Sequence, residues 1–381
     1  MKIGKPRKAA KTIEELKGEK VFEATQWQLV WWKFSRHKLA VASLVILGLM
    51  YFGVLFAEFV SPYDPTAMDK NYMDCPPTLV RFRDAEGKFS LRPFVYAKKG
   101  TLDLRSLMVT YTDDTSTKYF LKFFVRGSEY KLWGFWRSKL HLYGTAEPEG
   151  RVFLFGADRQ GRDMVSRLVY GSRISLSVPF VGIAFTFVLG ILIGGISGYF
   201  GGIIDVVVQR IIEFLRSIPS IPLWMGLSAA LPPFWSVTKI YFGIVIILSL
   251  VGWTGLARVV RGKFMAVKAE DFVMAAELDG VGTLRMIFRY LLPSFTSYII
   301  ASLTLSIPGT IIGETSLSFI GLGLQAPAIS WGVLLKDAQA ISVLAGAPWL
   351  LIPALFVVIS VLAFNFVGDG IRDAADPYAR V

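Results

Sequence analysis

Few residues in this chain could carry enzymatic chemistry. His37 and His141 are the two histidines, too few and too far apart to suggest a metal site. Cys75 is the single cysteine, which excludes an intrachain disulfide and a cysteine metal cluster. Gly321-x-Gly323-x-x-Ala326 fits a dinucleotide fingerprint only by chance, because no strand–turn–helix unit surrounds it. The sequence has no G-x-x-x-x-G-K-[ST] phosphate loop, no kinase motif set and no zinc pattern. The stretch with something to do is a charged one in greasy surroundings, Ala257 to Ser294. Its chemistry is that of a contact surface. Lys263 to Leu278 contains neither Pro nor Gly and reads as a helix, with Phe264, Val267, Phe272, Met274 and Ala275 on an irregular apolar side. Gly280 and Gly282 suit the positive φ of a helix C-terminus. A second helical pattern, Thr283 to Leu292, runs to Pro293, which disfavours helix in the residue before it.

This helix–turn–helix resembles the "EAA" loop of bacterial binding-protein-dependent importers, the ATP-binding-cassette permeases. Ala275, Ala276, Gly280, Leu292 and Pro293 match that pattern at its spacing, while Met274 stands at the Glu position and Tyr290 at the Ile position. The resemblance implies that residues 257–293 form a coupling loop seated in a groove of an ATPase subunit, through Asp271, Met274, Ala275, Ala276, Asp279, Gly280, Leu292 and Pro293. Met274 removes the carboxylate that the pattern would offer to a salt bridge. The alternative is an ordinary loop between spans.

Three further segments narrow the resemblance. Phe155 to Ser177, FGADRQGRDMVSRLVYGSRISLS, is similar to the segment before the second span of dipeptide, oligopeptide and nickel permeases, with Ala157 replacing a Thr. Asp163 and Arg167 stand four apart, so they are expected to pair on one helix face. Glu314 to Leu335, ETSLSFIGLGLQAPAISWGVLL, and the tail Phe364 to Pro377 resemble later segments of the same family.

The elements that must position these segments follow from composition. Hydrophobic residues make up 53% of the 381 and charged residues 18%, with mean hydropathy +0.50. That is the profile of a polytopic membrane protein. The net charge of +12 is explained by membrane topology without nucleic acid as a partner. Residues 1–38 carry ten Lys or Arg against four Asp or Glu and read as a basic cytoplasmic tail ending in an interfacial helix, with Trp27, Trp31 and Trp32 at headgroup level. The charged region is too long for a cleaved signal peptide. Residues 39–60 form the first span, closed by Pro62 and Pro65. Residues 61–150 read as a small β-rich extracytoplasmic insertion with strands at 93–97, 107–111, 119–125 and 152–155. Its aromatic residues Phe94, Tyr96, Phe123, Phe124, Trp133 and Trp136 are assigned mainly to its own small core.

Residues 151–381 hold the permease core with five more spans. Gly190, Gly194, Gly198 and Gly202 recur every four residues, a stripe for close helix packing. Asp205, Gln209 and Glu213 share a face at the start of the third span, with Arg210 and Arg216 in reach of Glu213, and that span bends near Pro219 and Pro222. Pro308 is expected to kink the fifth span. Pro308 and Glu314 are candidates for the transport pathway or a gate.

The expected architecture is therefore an all-α polytopic membrane protein of six transmembrane helices, the type I importer permease fold, with a β-rich insertion. The short inner segments carry most of the Lys and Arg, whereas Lys239 and Lys336 stand alone in the short outer loops. This places both termini in the cytoplasm. The long segment 61–173 carries nineteen Lys or Arg outside, where long segments are largely exempt from the rule. The resemblance implies a multi-pass subunit of a prokaryotic inner membrane, without catalytic, cofactor or metal residues. ATP and Mg would bind to two separate ATPase subunits. The further partners would be a second homologous permease, an extracytoplasmic solute-binding protein and membrane lipid. Peptide is the expected solute, with an oligosaccharide or nickel chelate as alternatives. An ion-coupled secondary transporter would need acidic groups deep in the spans, and Glu314 is its one candidate. An enzyme built on the insertion would lack a nucleophile–His–acid set.

Overall fold

The computed structural model describes residues 25–103, 108–145, 147, 149–340, 343 and 346–375. The basic tail before residue 25 and the last residues of the C-terminal motif, Asp376 and Pro377, lie outside the described residues. Helix α1, Gln26–Arg36, leads into α2, Lys38–Leu55, with His37 between them. The His37 ring accepts the amide of Ala40 at 3.1 Å, capping α2. A short turn, α3 (Ala57–Val60), continues the first span.

Strands β1 (Arg81–Arg83), β2 (Phe89–Asp103), β3 (Met108–Leu132) and β4 (Trp136–Thr145) then form one antiparallel meander. β4 was not expected, and Val152–Phe155, expected as a strand, is not one. The reason is that residues 152–155 are tied down as a loop. Val152 donates to the Tyr63 hydroxyl at 2.9 Å, and Phe153 packs with Tyr63 and Tyr72 around Cys75.

The remainder is helical: α4 (Met164–Phe200), α5 (Gly202–Ser217), α6 (Ser220–Ala229), α7 (Val237–Val267), α8 (Asp271–Leu278), α9 (Thr296–Ile320), α10 (Trp331–Asp337) and α11 (Ile352–Ala375). Among the described residues, five helical segments are long and apolar enough to cross a membrane. The expected third span is not among them. It is broken into α5 and α6 at Ile218–Pro219, where Pro219 holds an extended conformation ahead of α6. α9 runs on through Pro308, which is buried within it.

The glycine stripe sits where α4 crosses α7. A Cβ on Gly190 would stand 2.7 Å from Leu256, one on Gly198 would stand 2.8 Å from the Arg261 carbonyl, and one on Gly194 would collide with the Ala257 backbone. Gly202 does not belong to this stripe. It follows Gly201 past the end of α4 at φ +54°, with open space around its Cβ position. Its service is conformational, because the two glycines turn the chain from one helix into the next.

Candidate coupling surface

The charged stretch begins as the end of α7 rather than as one separate helix. α7 stops at Val267, residues 268–270 turn, and α8 starts at Asp271. Lys268 makes that turn stable. Its ammonium donates to the Tyr199 carbonyl at 2.9 Å and lies 4.9 Å from the Tyr199 ring centroid. The Tyr199 hydroxyl in turn donates to Glu277 at 3.4 Å, so α8 is held against the end of α4.

α8 has two faces. Val273 and Ala276 are buried with Phe264, Met286, Ile287, Leu291 and Phe295 in one apolar cluster. Asp271, Phe272, Met274, Ala275, Glu277, Leu278, Asp279 and Gly280 are exposed. Ala276, expected at the docking face, instead packs into the chain's own core. The physical reason is its three-residue offset from Val273, which puts both on one helical face. Leu278 is 89% exposed. Phe272, Met274, Leu284 and Phe288 are exposed beside it in sequence, so this polar hairpin carries an apolar surface without a partner among the described residues.

Gly280 ends α8 in the left-handed region at φ +72°. The Val281 amide donates to the Ala276 carbonyl at 3.1 Å, closing the helix end. Gly282 has φ −64° and needs no glycine for its backbone angle. The second helical pattern is irregular: a single α turn at Thr283–Arg285, a π segment at Met286–Leu291 and a 3-10 turn at Leu292–Phe295. Leu292 is half-buried and Pro293 exposed, with Pro293 at the opening of that last turn.

The other motifs fold on one another. Asp163 does not pair with Arg167. It caps α4, accepting the Ser166 amide at 2.8 Å and the Ser166 hydroxyl at 2.7 Å. Arg167 is buried and bonds to Asp158, with Asp337 of α10 at 3.4 Å. Asp158 also takes the Arg162 guanidinium at 2.7 Å. One segment further, the Trp331 amide donates to Ser175 at 3.0 Å, and the Ser175 hydroxyl donates to Glu314 at 3.1 Å. Glu314 accepts a second hydroxyl, from Ser318, at 2.9 Å. So Phe155–Ser177 and Glu314–Leu335 form one hydrogen-bonded junction of α4, α9 and α10. Glu314 is fully enclosed there.

A cavity of about 230 Å³ lies nearby between α4, α6, α7 and α9. Thr186, Trp224, Ser249, Ser306, Gly309 and Thr310 line it, and neither Pro308 nor Glu314 does. The Trp224 indole N–H is buried without a hydrogen-bond partner among the described residues. Asp205 was expected on a face with Gln209 and Glu213, yet its strongest partner is remote: Arg261 of α7 at 2.5 Å. Arg210 does reach Glu213, at 2.8 Å.

Comparison with known proteins decides the family. Residues 190–381 match the family described as the binding-protein-dependent transport system inner membrane component. The chain belongs to that family. Residues 25–77 also match the N-terminal transmembrane domain of oligopeptide transport permease C. The permease is 40% identical to the dipeptide transport system permease protein DppC of Bacillus subtilis, over 59% of this chain and 69% of that protein. It is 35% identical to the oligopeptide transport system permease protein OppC of Bacillus subtilis, over 64% of this chain and 77% of that protein. It is 40% identical to OppC of Haemophilus influenzae, over 61% and 72% of the two chains. Among solved structures, an inward-facing MetNI methionine transporter is 22% identical with a TM-score of 0.44, covering 56% of this chain and 98% of that chain. The four-stranded sheet lies between the two matched stretches of the permease. This chain is therefore a multi-pass permease subunit of an ATP-driven importer.

Proposed function

We propose that this permease carries peptides from an external solute-binding protein into the cytoplasm by alternating access. It works beside a second homologous permease and two ATPase subunits that bind ATP and Mg. α5 and α6 together serve as the third of six spans, both termini are cytoplasmic, and the sheet lies outside. The observation that carries the coupling assignment is α8. It is fixed from behind by Lys268, Tyr199 and its buried Val273 and Ala276, and it presents Phe272, Met274 and Leu278 outward. A rigid helix with an unpartnered apolar face suits a groove on an ATPase better than it suits water. Names of relatives support peptide as the solute. The solute pathway runs by the cavity that holds Trp224, Ser249 and Thr310, whose unpartnered indole N–H is free to meet a peptide carbonyl.

The test is reconstitution of the assembled complex in liposomes with its binding protein. Vanadate-sensitive, ATP-dependent uptake of a labelled peptide is expected. Uptake that follows a proton or sodium gradient without ATP would overturn the reading. Uptake of an oligosaccharide or nickel chelate in preference to peptides would overturn the solute alone.

A further inference from the structure

The tip of the β3–β4 hairpin carries an exposed aromatic cluster with a fixed position relative to the first span. Leu132 pairs with Trp136, and Trp133, Gly134 and Phe135 make the turn. Gly134 takes φ +85° in that turn, and Trp133 itself takes φ +52°. A tryptophan held in the left-handed region places its ring where local preference does not send it. Phe135 is 72% exposed and Trp136 66% exposed. Sheet packing does not account for these rings. The sheet buries Phe94 and Tyr96 instead, and it leaves Phe123 and Phe124 outside as well. The expectation of an aromatic core thus holds for two of the six residues only.

What fixes the tip is the span. The Trp133 indole N–H donates to the Leu55 carbonyl at 2.8 Å. Leu55 is the last residue of α2, where helix carbonyls lose their intrahelical donors. The Trp133 ring also packs on Phe56 and Phe135, at centroid distances of 5.7 and 6.1 Å. Leu49, Phe52 and Leu55 of α2 are exposed, so the apolar surface of the span continues onto the tip. Lys131, Arg137 and Lys139 flank the tip and are exposed, and one carboxylate stands among them, Glu129, 3.9 Å from Arg137 and 3.6 Å from Lys139, so the collar is net cationic. Aromatic rings at the end of a span, collared by cations, have the composition of a membrane interface.

We infer that the β3–β4 tip is a membrane anchor: Trp133, Phe135 and Trp136 enter the headgroup–acyl boundary of the leaflet where the first span ends, and Lys131, Arg137 and Lys139 meet lipid phosphates. The occupant of this surface is phospholipid, because the tip is tied to the end of a membrane-spanning helix whose apolar residues Leu49, Phe52 and Leu55 are exposed, and it has no height of its own to choose. The anchor makes the sheet rest on the bilayer beside the first span. It does not depend on the solute or on which side of the membrane the sheet occupies.

Fluorescence quenching in lipid nanodiscs tests it on the full-length chain within the assembled complex. Phe135→Cys and, separately, Trp136→Cys are labelled with an environment-sensitive dye, and the buried Cys75 stays unlabelled at neutral pH. Both are exposed positions, so neither substitution removes core packing. Blue-shifted emission is expected, with quenching by lipids that carry a spin label near the headgroup and little quenching by aqueous iodide. The same blue shift should weaken when anionic lipid is replaced by neutral lipid. Emission at the wavelength of the dye in water, quenched by iodide and insensitive to spin-labelled lipid, would overturn the anchor. Protection from iodide that appears only on adding binding protein would also overturn it, because the tip would then be a protein-docking surface.

Discussion

Arg173 of α4 grips Glu58 of α3 with both terminal guanidinium nitrogens, at 2.8 and 2.5 Å, while its Nε donates to the Val54 carbonyl at 3.0 Å. One side chain therefore satisfies a buried carboxylate and an end carbonyl of the first span, and it locks that span to the permease core. The geometry is the planar fork that Lys cannot supply.

Arg173→Lys and Glu58→Gln are each expected to lower the thermal midpoint of the purified permease, because each breaks the bidentate pair. A loss of about 1.5–3 kcal/mol is expected from hydrogen bonds to charged groups. Thermal unfolding in detergent checks this, and an unchanged midpoint in both variants would show the pair to be incidental.

The glycine positions should divide sharply. Gly194→Leu forces a side chain into the Ala257 backbone and should cost more than the roughly 1–3 kcal/mol of ordinary overpacking. Gly202→Asn should be tolerated, since the site is open and Asn accepts positive φ. The yield of monodisperse protein after extraction reads both. Equal yields would mean that α4 and α7 do not meet as described.

Leu278→Asp places a charge on the exposed face of α8 and touches no core residue, so the chain should fold and fail to retain its ATPase subunits. Ala276→Trp should instead reduce the yield of folded permease, because that residue packs with Val273 and Met286. Co-purification of the ATPase with Leu278→Asp at the normal level would remove α8 from the docking surface.

Cys75 is buried, and burial pushes its thiol up to about 12. Little thiolate is present at neutral pH, and the sulfur is shielded as well. Maleimide should label it slowly in the folded permease at neutral pH and rapidly after denaturation. Fast labelling of the folded protein would mean that the cluster of Phe153, Ala157 and Cys75 opens readily.

Much of the permease is legible in its sequence. Hydropathy is a local sum, and it marks the spans because each must bury about 20 apolar residues in hydrocarbon. The four family-like segments are readable for the same reason, since residue order carries them. Even the turn at Gly280 follows from a residue type suited to positive φ. What stays illegible is who meets whom. Asp163 and Arg167 have the spacing of an ion pair, yet Asp163 takes the Ser166 amide, one of the orphan donors of a helix start, and Arg167 finds Asp158 and Asp337. Asp205 looks like part of a local charge face, yet its partner is Arg261, brought close by the α4–α7 packing.

Period alone suggested four stripe glycines and an aromatic core in the sheet. Gly202 left the stripe because α4 had already ended at Gly201, and helix ends are set by the packing around them. The side chains of Trp133, Phe135 and Trp136 stay outside the sheet's core because the β3–β4 hairpin turns toward the end of α2, a contact 78 residues away in sequence between Trp133 and Leu55. The sequence by itself determined that this chain spans a membrane, which family it joins and where its polar helix stands, because those rest on composition and order. The tertiary structure alone decided which charges pair, which glycines pack and which aromatic rings are left for lipid, because burial and pairing depend on segments that approach only in the folded chain.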